Sequence, residues 1–383
     1  MENRLADVST IYHSALNLFP YWTSKELEKW KQAYLDTIKK TLLSDSLPDF
    51  YHLLCHFTAK LDDGHTMIYL PKEFKTDLVY PVMFNMIENQ LVIVKTTEEY
   101  QHYLYLPIKK VNGLSVSDFL TEINSKFWFS NGVVSLYYYQ NYLFFFHLNQ
   151  LLIEFSSNDS LVLSPQNKET VVWVQERMNK EIVIETDAII IIKEKNKILI
   201  KLNHFLEQEI VTVFYQYMNL YKESDEIIFD LRGNMGGNSG IANDICAAFF
   251  EETFETELSF YQVLDAQRYA SGTQLYYKRD IIDDNDYTQT LTHQYFVEEI
   301  DKETVPKNKG QLLNKPVTII QNRQTYSSAE NFVMNFYNRP NTRIIGTYSA
   351  GSTGQPALIP LETGGTFMVT AKGVRIPNGR VIA

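Results

Sequence analysis

Cysteine is almost missing from this chain, with only Cys55 and Cys246 among 383 residues. A disulfide framework is therefore excluded; one bridge at most could form, and both thiols read as small core residues. Concentrated positive charge is lacking as well. Lys and Arg total 35 against 46 Asp and Glu, a net charge of −11 with no long basic block. Nucleic acid and anionic lipid both reward clustered cations, so neither is an expected partner, whereas a peptide or unfolded protein is compatible. Long apolar runs are absent too: nothing approaches the roughly 20 residues that span a bilayer. The segment LYYYQNYLFFFHL (136–148) is short and interrupted by Gln140 and Asn141, which fits a buried strand or groove wall. MENRLADVST lacks the basic-then-apolar order of a signal peptide, so the chain reads as soluble, either cytoplasmic or exported with its leader removed.

What is present is apolar material, 45% of all residues, enough for a large core or several domains. Residues 1–74 read as a helical region. Thr23-x-x-Glu26 forms a capping box ahead of Trp30, Tyr34, Ile38 and Leu42, which recur every four residues, and Ser46 with Pro48 opens a second helix through Leu61. Residues 75–190 switch to short apolar alternations, LVIVKT (91–96), VVWVQE (171–176) and AIIIIKE (188–194), a β-rich region in which IKKVNGLSVSDFLTEI (108–123) reads as strand, Asn-Gly turn and helix. From 191 to 383 strands alternate with helices: ILIKLNHF, VTVFYQYMNLY, EIIFDLR, IANDICAAFF. Near-continuous apolar strands in that order predict an α/β domain whose sheet is buried on both faces.

Three segments could carry chemistry. EIIFDLRGNMGGNSG (226–240) runs from a buried strand into a helix, a geometry that aims backbone N–H groups at an anion. It has no Gly-Lys-Ser/Thr, and its glycines do not fit G-x-G-x-x-G, so a developing oxyanion is the anion of interest; a tight turn that merely uses glycine is the alternative. Asp230 and Arg232 read as a pair holding this turn. In NRQTYSSAENF (322–332) two serines stand between the strand PVTIIQN and a helix with Ala329, Phe332, Val333 and Phe336 on one face. Ser327-x-x-Glu330 is a capping box, yet a helix N-terminus also suits a nucleophile. A serine nucleophile needs a base, and LDDGHTMIYLP (61–71) offers His65, where Gly64 is expected to break the helix. An unshifted imidazole titrates near pH ~6.5 and could accept a proton at neutrality. No metal or cofactor is expected. His52 and His56 are spaced i, i+4 but lack the glutamate of His-Glu-x-x-His.

AKLDDGHT (59–66), DLRGNMGG (230–237), TYSSAE (325–330) and GTYSAGSTG (346–354), taken in that order, resemble the C-terminal-processing, or tail-specific, serine peptidases. The similarity lies on the side of that family that includes the tricorn-protease core and the retinoid-binding-protein-like modules. The resemblance implies a crotonase-like α/β catalytic core, an N-terminal helical region and a β-rich middle region similar to a PDZ domain. It further implies that Ser327 of the Thr-x-Ser-x-x-Glu pattern is the nucleophile, that Ser328 and either Gly236 or Gly237 supply oxyanion-hole N–H groups, and that His65 is the general base. The lysine of the other branch would fall at Ser352, which disfavours a Ser–Lys dyad. Two departures stand out: Gly64 occupies the place of a hydroxyl residue, and the chain ends soon after a Pro-Asn-Gly element, at IPNGRVIA, whereas the tricorn-like branch draws on a glutamate past that element. The expected function is a serine endopeptidase acting on peptides or partly unfolded proteins. A catalytically inactive peptide-binding scaffold of the same fold and, further off, an acyl-transfer enzyme with a crotonase-like core remain open.

Overall fold

In a computed structural model, the structure describes all residues except 23, 75–76, 127–135, 137–138, 141–148, 175–180, 264–294, 307–308 and 376–383. Thr23 of the expected capping box and the IPNGRVIA ending lie outside them. The chain divides into two compact units: Met1–Ser14, Thr23–Met178 and Leu358–Val369 form one, and Ala15–Trp22, Asn179–Ala357 and Thr370–Ala383 form the other.

The first unit holds the expected helices. Ser46 caps Leu47–Thr58 by accepting from the Asp49 N–H at 3.2 Å, with Pro48 in the first turn. Trp30 stacks on Phe57 with ring centroids 4.1 Å apart. Cys55 is buried. The helix does not end at Gly64. After one 3₁₀ turn, Ala59–Leu61, the chain reverses at Asp62, which is left-handed at φ 51. Asp is one of the few residues with a β-carbon that tolerates this conformation, so it ends the helix where glycine was expected to do so. Asn112 and Gly113, at φ 50 and 80, turn Ile108–Val111 back onto Leu114–Ser115 ahead of the helix Val116–Lys126. Strands Ile108–Val111, Leu114–Ser115, Leu151–Phe155 and Ser160–Leu163 form one antiparallel sheet. Val171–Val174 is not a strand, and 175–176 lie outside the described residues. Of the apolar segment 136–148, Leu136, Tyr139 and Gln140 are helical; its other residues also lie outside.

The second unit is of the α/β class that the sequence predicts. Its six-stranded sheet runs in the order 181–185, 189–194, 197–202, 226–230, 317–321, 342–346; the first three strands are antiparallel and the last three continue parallel to 197–202. Ile189, Ile190, Ile191 and Ile192 are all buried, as are Ile227, Phe229, Val317 and Ile319, so the central strands are covered on both faces. Helices Ser239–Cys246 and Ser328–Phe336 pack on each other and share an aromatic core in which Phe229 meets Phe332 edge to face at 4.9 Å. Cys246 is buried in this core and, like Cys55, has no disulfide. No helix among the described residues is long and apolar enough to cross a membrane.

One polar cluster ties four neighbouring strands of this sheet. The Glu226 carboxylate accepts from Lys197 Nζ at 2.6 Å, Thr318 Oγ1 at 2.5 Å and Arg343 Nη2 at 3.0 Å. The Lys197 bond above all, then Thr318, holds the Glu226 carboxyl down at about 2, against an ordinary value of 4.5. A carboxylate with a depressed folded pKa adds stability above its unfolded pKa, and that stability is lost as pH falls through the folded one. Stability should therefore drop as pH falls from about 4.5 towards 2, and Glu226→Gln should flatten that part of an acid-titrated urea midpoint. At neutral pH the same change should cost about 1–2 kcal/mol, limited by the exposure of both cations.

Candidate active site

The two motifs meet because their strands are neighbours. Asp230 lies opposite Ile320 in parallel register, so the turns that follow both strands leave the sheet at the same carboxyl edge. Buried hydrogen bonds stitch them together: Thr325 Oγ1 donates to Leu231 O at 3.0 Å, and Tyr326 N–H to Asn234 O at 3.0 Å. Asp230 grips Arg232 through two bonds of 2.9 and 2.7 Å and also accepts the Arg232 N–H at 3.1 Å. This is the turn-holding pair expected from the sequence.

Asn234 is fully buried and pins the glycines. Its side chain donates to Leu202 O at 2.9 Å and accepts the Gly236 N–H at 2.8 Å. Gly236 stands at φ 90, and a β-carbon there would lie 2.7 Å from Ser327 Cβ, 2.8 Å from Tyr326 O and 2.9 Å from Ser328 N. The contacts are with backbone or a Cβ, which cannot swing away. Gly236→Ala should thus lower kcat/KM on a peptide by about 10²-fold through displacement of Ser327 and reduce stability by about 1–3 kcal/mol, read by kinetics and thermal melting.

Gly237 pairs with Phe205 in a parallel bridge, and its carbonyl accepts from Ser328 Oγ at 2.9 Å. Ser328 Oγ also lies 3.0 Å from Ser239 Oγ. The Ser328 hydroxyl is thus spent on holding the glycine turn. The N–H groups of Gly237 and Ser328 are given to no acceptor among the described residues, whereas that of Gly236 is committed to Asn234. Ser328 opens its helix, where an N–H has no intrahelical partner and carries the positive end of the dipole.

Ser327, half-buried, forms the expected capping box with Glu330, but not with an ordinary cap's backbone. Its backbone is at φ 57 and ψ −125, a region that side-chain-bearing residues avoid, on a sharp turn from strand to helix. Its N–H is shared between Glu330 Oε2 at 3.1 Å and Ser352 O at 3.2 Å. Glu330 is buried at 2% exposure, and its two oxygens also accept from Ser349 Oγ at 2.6 Å, Gly351 N at 2.7 Å and Ser352 N at 3.1 Å. Burial pushes the Glu330 carboxyl up to about 7, against the pull of these four donors. Sequence reasoning treated Glu330 only as a capping partner. The Thr-x-Ser-x-x-Glu spacing was visible, but the donors from 349–352 were not.

The structure thus brings Ser327, Ser328, Gly236 and Gly237 together within the second unit. His65 belongs to the first. It follows the Asp62 reversal and precedes the strand Met67–Tyr69, which pairs with Thr366–Met368. Thr66 Oγ1 donates to Asp63 Oδ2 at 2.6 Å beside it. His65 is 4% exposed, and burial lowers its pKa to about 4, so the imidazole is neutral at pH 7. No group of three or more His, Cys, Asp or Glu side chains among the described residues could hold a metal ion.

Comparison with known proteins agrees with this geometry. The family model for peptidase family S41 matches residues 198–383. Among solved structures, mature CPAF superposes with a TM-score of 0.66 at 13% identity, covering 100% of this chain and 90% of that one. Mature CPAF complexed with lactacystin gives 0.68 at 14%, covering 100% and 92%. The photosystem II D1 C-terminal processing protease gives 0.53 at 14%, covering 99% and 90%. At these identities the likeness is one of fold. No curated protein matches. Residues 198–383, which carry both the glycine turn and the serine turn, are thus similar to peptidase family S41, a family of serine peptidases.

Proposed function

We propose that the protein is a serine endopeptidase that cleaves peptides or partly unfolded proteins, with Ser327 as nucleophile and His65 as general base. The observation that carries this reading is the Ser327 turn: a strained non-glycine residue at φ 57, with the uncommitted N–H groups of Ser328 and Gly237 beside it. Strain of this kind is retained where it exposes a nucleophile, and paired N–H donors stabilise the charge that appears on a carbonyl oxygen under attack. In this reading Ser327 Oγ adds to the scissile carbonyl while the neutral His65 imidazole takes its proton. The tetrahedral oxyanion rests on the Gly237 and Ser328 N–H groups, and the imidazolium returns the proton to the leaving amine. Water then repeats the sequence on the acyl-enzyme. Gly236 serves by its missing side chain, since its N–H is already given to Asn234. The net charge of −11 favours neutral or basic peptides over acidic ones.

The test is incubation with a fluorophosphonate probe and mapping of the labelled residue, alongside turnover of an unfolded protein substrate. Labelling of Ser327 together with cleavage inside the substrate chain is the expected result. Label on another residue would remove Ser327 from the role, and tight peptide binding without label or turnover would replace the enzyme with a peptide-binding scaffold.

A further inference from the structure

We infer that Glu330 is a positioning residue for the proposed nucleophile, a buried carboxylate that clamps the Ser327 turn to the loop 349–352 and keeps Ser327 in its strained backbone. The inference rests on the reading of Ser327 as nucleophile. A helix cap would require only the contact from Glu330 to the Ser327 N–H, at 3.1 Å. Here the same oxygen also takes the Ser352 N–H at 3.1 Å, and the other takes Ser349 Oγ at 2.6 Å and Gly351 N at 2.7 Å. These bonds reach a segment that plays no part in the helix. The Ser352 carbonyl closes the ring by accepting from the Ser327 N–H at 3.2 Å.

All four contacts are donors, so the position requires a group that only accepts. An ionised carboxylate meets this and a carboxamide does not. A glutamine would keep one oxygen but turn its NH₂ towards two groups that also donate. Aspartate is one methylene shorter and could not serve both sides. Burial makes the clamp stiff, because a polar group released here has no water to replace its partner. Ser327 could then relax from φ 57 towards an ordinary cap conformation, moving Oγ relative to the Gly237 and Ser328 N–H groups.

The experiment compares wild type with Glu330→Gln and Ser349→Ala, using peptide kinetics normalised to the fraction of sites that a fluorophosphonate titrates, and backbone hydrogen exchange. Glu330→Gln should lower kcat per titrated site by about 10²-fold and leave KM within about twofold, since Glu330 does not touch substrate. The amides of Ser327, Gly351 and Ser352 should lose protection together. Ser349→Ala removes one donor and keeps the carboxylate, so kcat should fall by about fivefold; it carries the test should Glu330→Gln fail to fold. Unchanged kcat per titrated site with only a lower Tm, or unchanged amide protection in Glu330→Gln, would overturn the inference. A wild type that neither labels nor turns over would sink the peptidase reading instead, and the exchange comparison, which needs no activity, would still decide the clamp.

Discussion

Ser327→Ala is expected to abolish fluorophosphonate labelling and to lower kcat by about 10⁴-fold or more, the loss seen when a serine nucleophile is removed from a working set. The fold should survive. Alanine keeps the Ser327 backbone N–H and its bonds to Glu330 and Ser352, and gives up the side-chain half of the capping box. Alanine at φ 57 carries the same backbone strain as serine, so the Tm should move little while activity disappears. A residual rate from the oxyanion donors is expected, because Gly237 and Ser328 still present their N–H groups. A variant that retains more than a few per cent of wild-type turnover would show that another group attacks the substrate.

The second large effect concerns His65. His65→Ala should reduce kcat about as far as the serine change, with little further loss in the double variant, because a nucleophile and its base act as one unit. The pH dependence is more distinctive. An ordinary imidazole would shut the reaction off as pH fell through 6.5, but burial holds His65 near 4. The base must be neutral to accept a proton, so His65 itself should not limit kcat/KM until pH falls towards about 4; a limb near 7 would belong to Glu330, whose carboxylate must be ionised to hold the Ser327 turn. The same burial acts on stability. The unfolded imidazole takes up a proton from 6.5 downwards while the folded one does so only near 4, so the fold loses stability as pH falls through that window. Rates must therefore be corrected for the folded fraction. The absence of a further decline near pH 4 in fully folded protein would remove His65 from the base role.

Much of the architecture was legible in local sequence. Runs such as IIII at 189–192 and the apolar spacing of Phe332, Val333 and Phe336 bias short windows towards strand or helix whatever lies around them. Ser46 was readable as a cap because capping is completed within one turn. Local signals also misled. Gly64 looked like the helix stop, yet Asp62 adopts the left-handed position first. VVWV alternates like a strand, but Val171–Val174 joins no ladder among the described residues; Val174 N–H bonds to Thr96 O at 2.8 Å, and a single bond without register does not make a strand.

The likeness to the family was likewise carried by motif order along the chain. The working detail of the site was not. That Gly236 lies too close to Ser327 for any side chain follows from two strands being parallel neighbours, a fact of sheet order and not of either motif. Gly236 and Gly237 are equivalent in sequence. The Asn234 side chain, which takes the Gly236 N–H, separates them in the structure. Ser328 and Ser327 are adjacent and alike, but one hydroxyl is consumed by Gly237 O, while the other residue bears the strained backbone. Glu330 and His65 are ordinary titratable residues until burial raises one pKa and lowers the other. The sequence by itself determined the elements, the α/β class and the likeness to the family, because hydrophobic period, turn chemistry and motif spacing act over short stretches of chain. Which donors converge, which N–H groups are left uncommitted and which charges lose their water was decided only by the tertiary structure, because hydrogen bonding and desolvation depend on neighbours brought from distant parts of the chain.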